Sequence, residues 1–183
     1  DAPFLASHLN SNMDWEYTIP LINDAREKRG AKVWGEVYPY GGASTFAAAD
    51  VLSESGMAQM NLKYSDITNL DGTPWDKEMH DDVRKNDAGR TVLVYINPAE
   101  NEAKWMAMPG VVVVSDGMAI IDENGEYYPW DSPYEGKTCH PRSAGTRAKV
   151  LRMVREDKNQ TLMKAISKMS YLHAKYLGEL GGI

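Results

Sequence analysis

The run Val111-Val112-Val113-Val114 leaves this chain few choices of fold. Consecutive β-branched residues cannot alternate between core and water, so a strand built from them must be covered on both faces. Parallel sheets flanked by helices provide that cover. Pro109-Gly110 turns into the run and Ser115-Asp116-Gly117 closes it. Nearer the start, the apolar residues Phe4 to Ala6 read as a short buried strand ending at Ser7-His8. From Asp14 to Arg29 the spacing becomes helical, with Ile19, Ile22 and Ala25 on one face and Gly30 as the stop. Lys32 to Tyr38 then reads as a strand, closed by Pro39 and the turn Gly41-Gly42. Strand, helix and strand at a spacing of about thirty residues make one βαβ unit, and the expected class is α/β.

The rest of the chain is less regular. Residues 43 to 88 combine small residues (Ala47 to Ala49), turn signals (Asp71-Gly72, Pro74) and a charged run, and predict one or two short helices. Thr91 to Ile96 predicts a further strand and Ala99 to Met108 a helix. A polar, aromatic loop spans 118 to 143, followed by helices over Thr146 to Glu156 and Thr161 to Leu177, the second capped by Gly178. The 183 residues, 43% of them hydrophobic, suffice for one core and one domain. A net charge of −6 and a pI near 5.2 argue against nucleic acid or an anionic membrane as partner, since both call for a basic face. No apolar run approaches the roughly 20 residues of a membrane span, and Asp1-Ala-Pro-Phe4 lacks the features of a signal peptide. The single Cys139 excludes an intrachain disulfide and fits a reducing compartment, so a cytoplasmic protein is expected. Apolar pattern begins within the first residues and helical pattern runs to the last, as expected of a piece of a longer sheet.

Two polar residues follow predicted parallel strands directly: His8 and Asp116. In α/β barrels that end of the sheet holds the active site. His8 is then a metal ligand or an ordinary buried histidine; Asp116 is a ligand and general base, or the first residue of an Asp-Gly turn. Tyr38, in Tyr38-Pro39-Tyr40, either presents a phenol to substrate or caps its strand with aromatic bulk. Arg142, in His140-Pro141-Arg142, can hold a carboxylate through its planar donors or sit in a surface turn. His80 and His173 fall in polar helical surroundings with no chemical role expected. Cys139 has no sequence-local partner, and the five Trp residues read as core and rim packing.

Taken in order, these segments resemble the D-aminoacylase and N-acyl-D-glutamate deacylase branch of the amidohydrolase superfamily. Ala6-Ser7-His8 resembles the sixth barrel strand with its metal-ligand histidine, and Gly35 to Tyr40 with Gly42-Ala-Ser-Thr45 resembles the seventh. Val114-Ser-Asp-Gly117 resembles the eighth strand, which carries the catalytic aspartate. His140 to Thr146, Val150-Leu151, Val154-Arg-Glu156 and the stretch Leu162 to Gly178 resemble the loop and helices that lead out of the barrel. The resemblance implies a partial (β/α)8 barrel over residues 1–183, strands 6 to 8, with 41–90 inserted between strands 7 and 8. It implies hydrolysis of the amide bond of N-acyl-D-amino acids with one or two zinc ions. Asp116 would be the general base and a metal ligand, His8 a metal ligand, and Tyr38 the group on the substrate carboxylate; Arg142 is a further candidate for polar contact.

The sequence departs from that pattern in two ways. Where the family often has a lysine two residues past the strand-6 histidine, this chain has Asn10. The family's upstream ligands, a His-x-His, a cysteine and another histidine, have no counterpart, so a missing N-terminal barrel segment or self-association is expected to complete the sheet. Two other readings stand beside the deacylase: a non-catalytic barrel remnant or subunit, and a cyclic-amide hydrolase of the hydantoinase or dihydroorotase type.

Overall fold

The structure, a computed structural model, describes residues 3–11, 14–117, 120, 126–135, 137 and 140–181. The expected βαβ unit is present as β1 (Phe4–Ala6), α1 (Trp15–Arg29) and β2 (Val33–Val37). Helix α1 ends where its glycine permits it: Gly30 takes φ 65° and the Ala31 N–H bonds the Ala25 carbonyl at 3.1 Å. The valine run forms β6 (Val111–Val113) on the other side of β2, giving an all-parallel sheet in the order β1-β2-β6. All three of its residues are at most 1% exposed, so both faces are covered as the run requires. Gly35 sits in the middle of β2 because a Cβ there would lie 2.5 Å from Leu9 Cδ1, in the turn that follows β1.

Between β2 and β6 the chain builds a second sheet from β3 (Gly42–Phe46), β4 (Ile67–Thr68) and β5 (Thr91–Tyr95), antiparallel in the order β3-β5-β4. Helices α2 (Glu54–Gln59) and α3 (Lys77–Asn86) accompany it, and α4 (Glu102–Ala107) leads into β6. After β6 come α5 (Arg142–Glu156), α6 (Leu162–Met169) and α7 (Tyr171–Gly181). Each sheet has its own core. Ile19 and Trp15 of α1 pack with Val37, Val111, Val113, Val150, Met153 and Ala165. Leu52, Met57, Ile67, Trp75, Val83, Val92 and Val94 form the other. Each fully buried aliphatic side chain contributes about 1.5–3 kcal/mol.

The region from 43 to 88 holds more than the two short helices expected. Strand β3 escaped the sequence because Gly42-Ala-Ser-Thr-Phe46 is small and polar without alternation. Thr91–Tyr95 is a strand as expected, but it pairs antiparallel, outside the parallel sheet. Helix α5 starts at Arg142, four residues before the expected Thr146. The single helix read over 161–177 is two, broken at Ser170 (φ −145°, ψ −76°), and Gly178 lies inside α7 instead of capping it. His80 is buried against Tyr64 and Trp75 and bonds the Leu52 carbonyl at 2.7 Å, so its surroundings are a core and not a polar surface. Four of the five Trp residues are core residues, while Trp130 is 97% exposed. Cys139 lies outside the described residues. Among the described residues no helix is long and apolar enough to cross a membrane.

Candidate functional site

His8 and Asp116 directly follow the C-terminal ends of β1 and β6. Both strands run parallel to β2, so the two residues stand at the same end of one sheet. They share a backbone peculiarity as well. Of the described non-glycine residues only four have positive φ, and His8 (34°) and Asp116 (48°) are two of them. The left-handed region costs such residues about 1–3 kcal/mol and persists where the surroundings impose it, often at functional sites.

Asp116 heads a short stack with Arg142 at its middle and Tyr38 at its base. Its Oδ2 pairs with Arg142 Nη1 at 3.0 Å, and the Arg142 guanidinium lies 5.0 Å from the centre of the Tyr38 ring. The helical placement of Arg142 explains this contact: as the first residue of α5 its side chain reaches back over the strand ends. The Arg142 side chain is 6% exposed and that of Asp116 34%, so the pair is reached by water from the aspartate side. Arg142 Nε is a buried donor with no acceptor among the described residues. Three of the four candidate residues are thus brought together. His8 is exposed at the rim, its N–H donating to Glu36 Oε1 at 3.3 Å.

Tyr38 itself is 1% exposed, and its hydroxyl shares a 2.8 Å hydrogen bond with Ser11 Oγ. Burial pushes its pKa up, an effect that Asp116 reinforces while Ser11 and Arg142 oppose it. The phenol therefore stays protonated in the floor of the site. Asn10, read in the sequence only as a missing lysine, has a clear structural task. Its Oδ1 accepts the Tyr38 N–H at 3.0 Å and its Nδ2 donates to the Tyr40 carbonyl at 3.2 Å, clamping the end of β2 to the turn after β1. A buried amide is suited to this because it offers donor and acceptor side by side, but nothing in local spacing announces it.

A second layer went unread in the sequence. Glu102 accepts the Gly41 N–H at 3.0 Å and pairs with Lys149, whose ammonium stands 4.1 Å from the Tyr40 ring centre. His140 packs edge-on against Tyr40 at 5.4 Å, and its Nδ1 accepts the Arg142 N–H at 3.1 Å. Burial first, then the positive Arg142, hold the His140 pKa below the usual histidine value. Tyr40, His140 and Pro141 also line a cavity of about 240 Å³ together with Leu93 and Tyr95 of the second sheet.

Zinc takes three or four protein ligands. Among the described residues no group of three or more His, Cys, Asp and Glu side chains stands together to hold a metal ion. His8 and Asp116 are two donors, one of them already paired with Arg142, and do not by themselves fit a zinc ion.

No protein-family model matches this sequence, and no curated protein matches it. Solved structures do. The chain superposes on N-acyl-D-glutamate deacylase from Bordetella bronchiseptica, solved with zinc and a phosphonate inhibitor, with a TM-score of 0.67 and 20% identity. It superposes on two D-aminoacylase structures with TM-scores of 0.64 and 0.65 at 21% and 19% identity, the second described by its binuclear metal centre. In each case 96% of this chain is covered but only 36% of the deacylase. Over 96% of its length, then, this α/β chain has the fold of about a third of a deacylase of the amidohydrolase kind.

Proposed function

We propose that the chain is part of a metal-dependent amidohydrolase that hydrolyses the amide bond of N-acyl-D-amino acids. In this reading β1, β2 and β6 are strands 6, 7 and 8 of a (β/α)8 barrel, and the insertion between strands 7 and 8 runs past residue 90 to take in β5, which pairs with β3 and β4. The observation that carries it is the Asp116–Arg142–Tyr38 stack, set at the C-terminal end of a parallel sheet that also presents His8. That is where such barrels gather their catalytic groups.

The roles follow from the contacts. Arg142 engages Oδ2 of Asp116, which leaves Oδ1 to take a proton from the attacking water and return it to the leaving amine. Arg142 Nε, buried and without an acceptor among the described residues, suits a substrate carboxylate. Tyr38 bounds the same place from below and would meet that carboxylate once its bond to Ser11 opens. His8 and Asp116 are this chain's share of a zinc site whose other ligands lie on strands it does not contain. The small-molecule substrate is the partner of the site, and a missing barrel segment or a second copy is the partner of the sheet.

The test is a zinc-supplemented hydrolysis assay on N-acetyl-D- and N-acetyl-L-amino acids. It compares the 183-residue chain with a polypeptide that carries this sequence together with the remaining strands. Hydrolysis of the D substrates only by the longer protein, abolished in Asp116→Asn, is expected. Activity unaffected by Asp116→Asn would remove Asp116 from the chemistry. A non-catalytic subunit is the second reading, favoured by the burial of Tyr38 and the engagement of Asp116 by Arg142. It predicts no hydrolysis by either polypeptide.

A further inference from the structure

Helix α5 begins without the usual side-chain cap. Its N-cap position is Pro141, whose ring offers no acceptor, while the first turn of any helix leaves backbone N–H groups in need of one. His140 supplies two. Its carbonyl accepts the Ser143 N–H at 2.9 Å, and its ring Nδ1 accepts the Arg142 N–H at 3.1 Å. An imidazole nitrogen accepts only while it carries no proton. Burial first, then the positive Arg142, favour that neutral form.

The same ring is set against Tyr40, which fixes where the first turn of α5 lies. His140 meets the Tyr40 ring edge-on at 5.4 Å, and the Lys149 ammonium, further along α5, stands 4.1 Å from the ring centre. Gly145 approaches so closely that a Cβ there would come 2.8 Å from the Tyr40 hydroxyl. Tyr40 is itself tied to the turn after β1, its carbonyl accepting Asn10 Nδ2 at 3.2 Å. Arg142 is the first residue of the helix, so no earlier helical turn holds its backbone. From there its side chain has to lie over the Tyr38 ring and reach Asp116 at 3.0 Å. A shift at its N–H passes straight to the guanidinium.

We propose that His140 is a positioning residue for Arg142: its ring nitrogen holds the first backbone N–H of α5 and so aims the guanidinium at Asp116 and at the substrate carboxylate. The carboxylate half of this inference rests on the deacylase reading; the placement of Arg142 does not. An arginine has many rotamers, and fixing the backbone it springs from leaves less ordering for substrate to impose.

Two variants separate the acceptor from the ring. His140→Phe keeps an aromatic ring against Tyr40 and has no acceptor, whereas His140→Asn can place Oδ1 where Nδ1 stands and gives up the ring contact. In the 183-residue chain the Arg142 amide should exchange with solvent about ten times faster in His140→Phe and at about the wild-type rate in His140→Asn. In the longer polypeptide with zinc, His140→Phe should raise KM for N-acetyl-D-amino acids about ten-fold with kcat changed by less than about two-fold, and His140→Asn should keep the wild-type KM. A wild-type exchange rate in folded His140→Phe overturns the proposal, and so does the reverse ranking, with His140→Asn the impaired variant. Faster exchange with an unchanged KM overturns the link to substrate. Absence of hydrolysis by the wild-type longer polypeptide refutes the deacylase reading instead, and the exchange rates then decide the placement of Arg142. Should His140→Phe fail to fold by circular dichroism, His140→Leu takes its place under the same criteria.

Discussion

Removing either partner of the Asp116–Arg142 pair deletes the same interaction, yet the two deletions should not cost the same. Arg142 is always charged, its side chain is 6% exposed, and its Nε already lacks an acceptor among the described residues. In Asp116→Asn the guanidinium stays buried against Tyr38 with no counter-ion among the described residues. Breaking a fully buried pair costs about 3–5 kcal/mol. Water reaches this one through Asp116, 34% exposed, and the asparagine oxygen still accepts a hydrogen bond, so about 2–3 kcal/mol is expected. Asparagine also tolerates the left-handed backbone at this position, which keeps strain out of the comparison. In Arg142→Met the aspartate hydrates instead, and the loss is about 1 kcal/mol of hydrogen bonding and ring contact. The double variant should lie close to Arg142→Met, because it no longer buries a lone charge. Urea unfolding with unchanged m-values gives the three differences. Equal costs for the two single variants, or a larger cost for Arg142→Met, would refute the reasoning that burial of the guanidinium dominates.

Four further outcomes follow from the same geometry. His8→Gly should be at least as stable as wild type, and about 1 kcal/mol more stable than His8→Ala, because φ at this position is 34°; a thermal melt ranking Ala above Gly contradicts the strain. His140 and His173 both have pKa values held below the unfolded value by burial, then by Arg142 and Arg147 respectively, so unfolding takes up protons. Stability is therefore present above pH 6.5 and lost as pH falls below it, and His140→Gln should flatten that slope in urea titrations between neutral and mildly acidic pH. Lys168 donates to the Met106 and Met108 carbonyls at 2.6 and 2.5 Å, so Lys168→Met should destabilise by about 1–3 kcal/mol in chemical denaturation. Tyr38→Phe, in the longer active polypeptide, should raise KM more than it lowers kcat, since carboxylate binding is shared by ground and transition states; an unchanged KM makes Tyr38 a packing residue.

What the sequence determined alone is whatever is written in short-range pattern. The valine run demanded a strand covered on both faces and received one. The spacing of Ile19 and Ile22, with Gly30 to stop the helix, gave α1 within a residue of its ends. The placement of His8 and Asp116 at one end of the sheet followed from strand direction in a βαβ unit, which handedness and connection length constrain. Periodicity and turn residues report local hydrogen bonding, and local bonding suffices for these features.

Tertiary structure decided the rest, because partner choice is a long-range matter. Nothing near Thr91–Tyr95 says that it will pair antiparallel with Gly42–Phe46, a segment with no strand pattern of its own. The same holds for Asn10 bridging Tyr38 and Tyr40, and for the Glu102–Lys149 pair beneath the Gly41 turn. Tyr38, chosen from its motif as a group for substrate, has its hydroxyl on Ser11, and Arg142, read as a loop residue, reaches Asp116 from the first turn of a helix. A side chain's residue type fixes what it can bond. Which partner it meets depends on segments brought together only when both cores close.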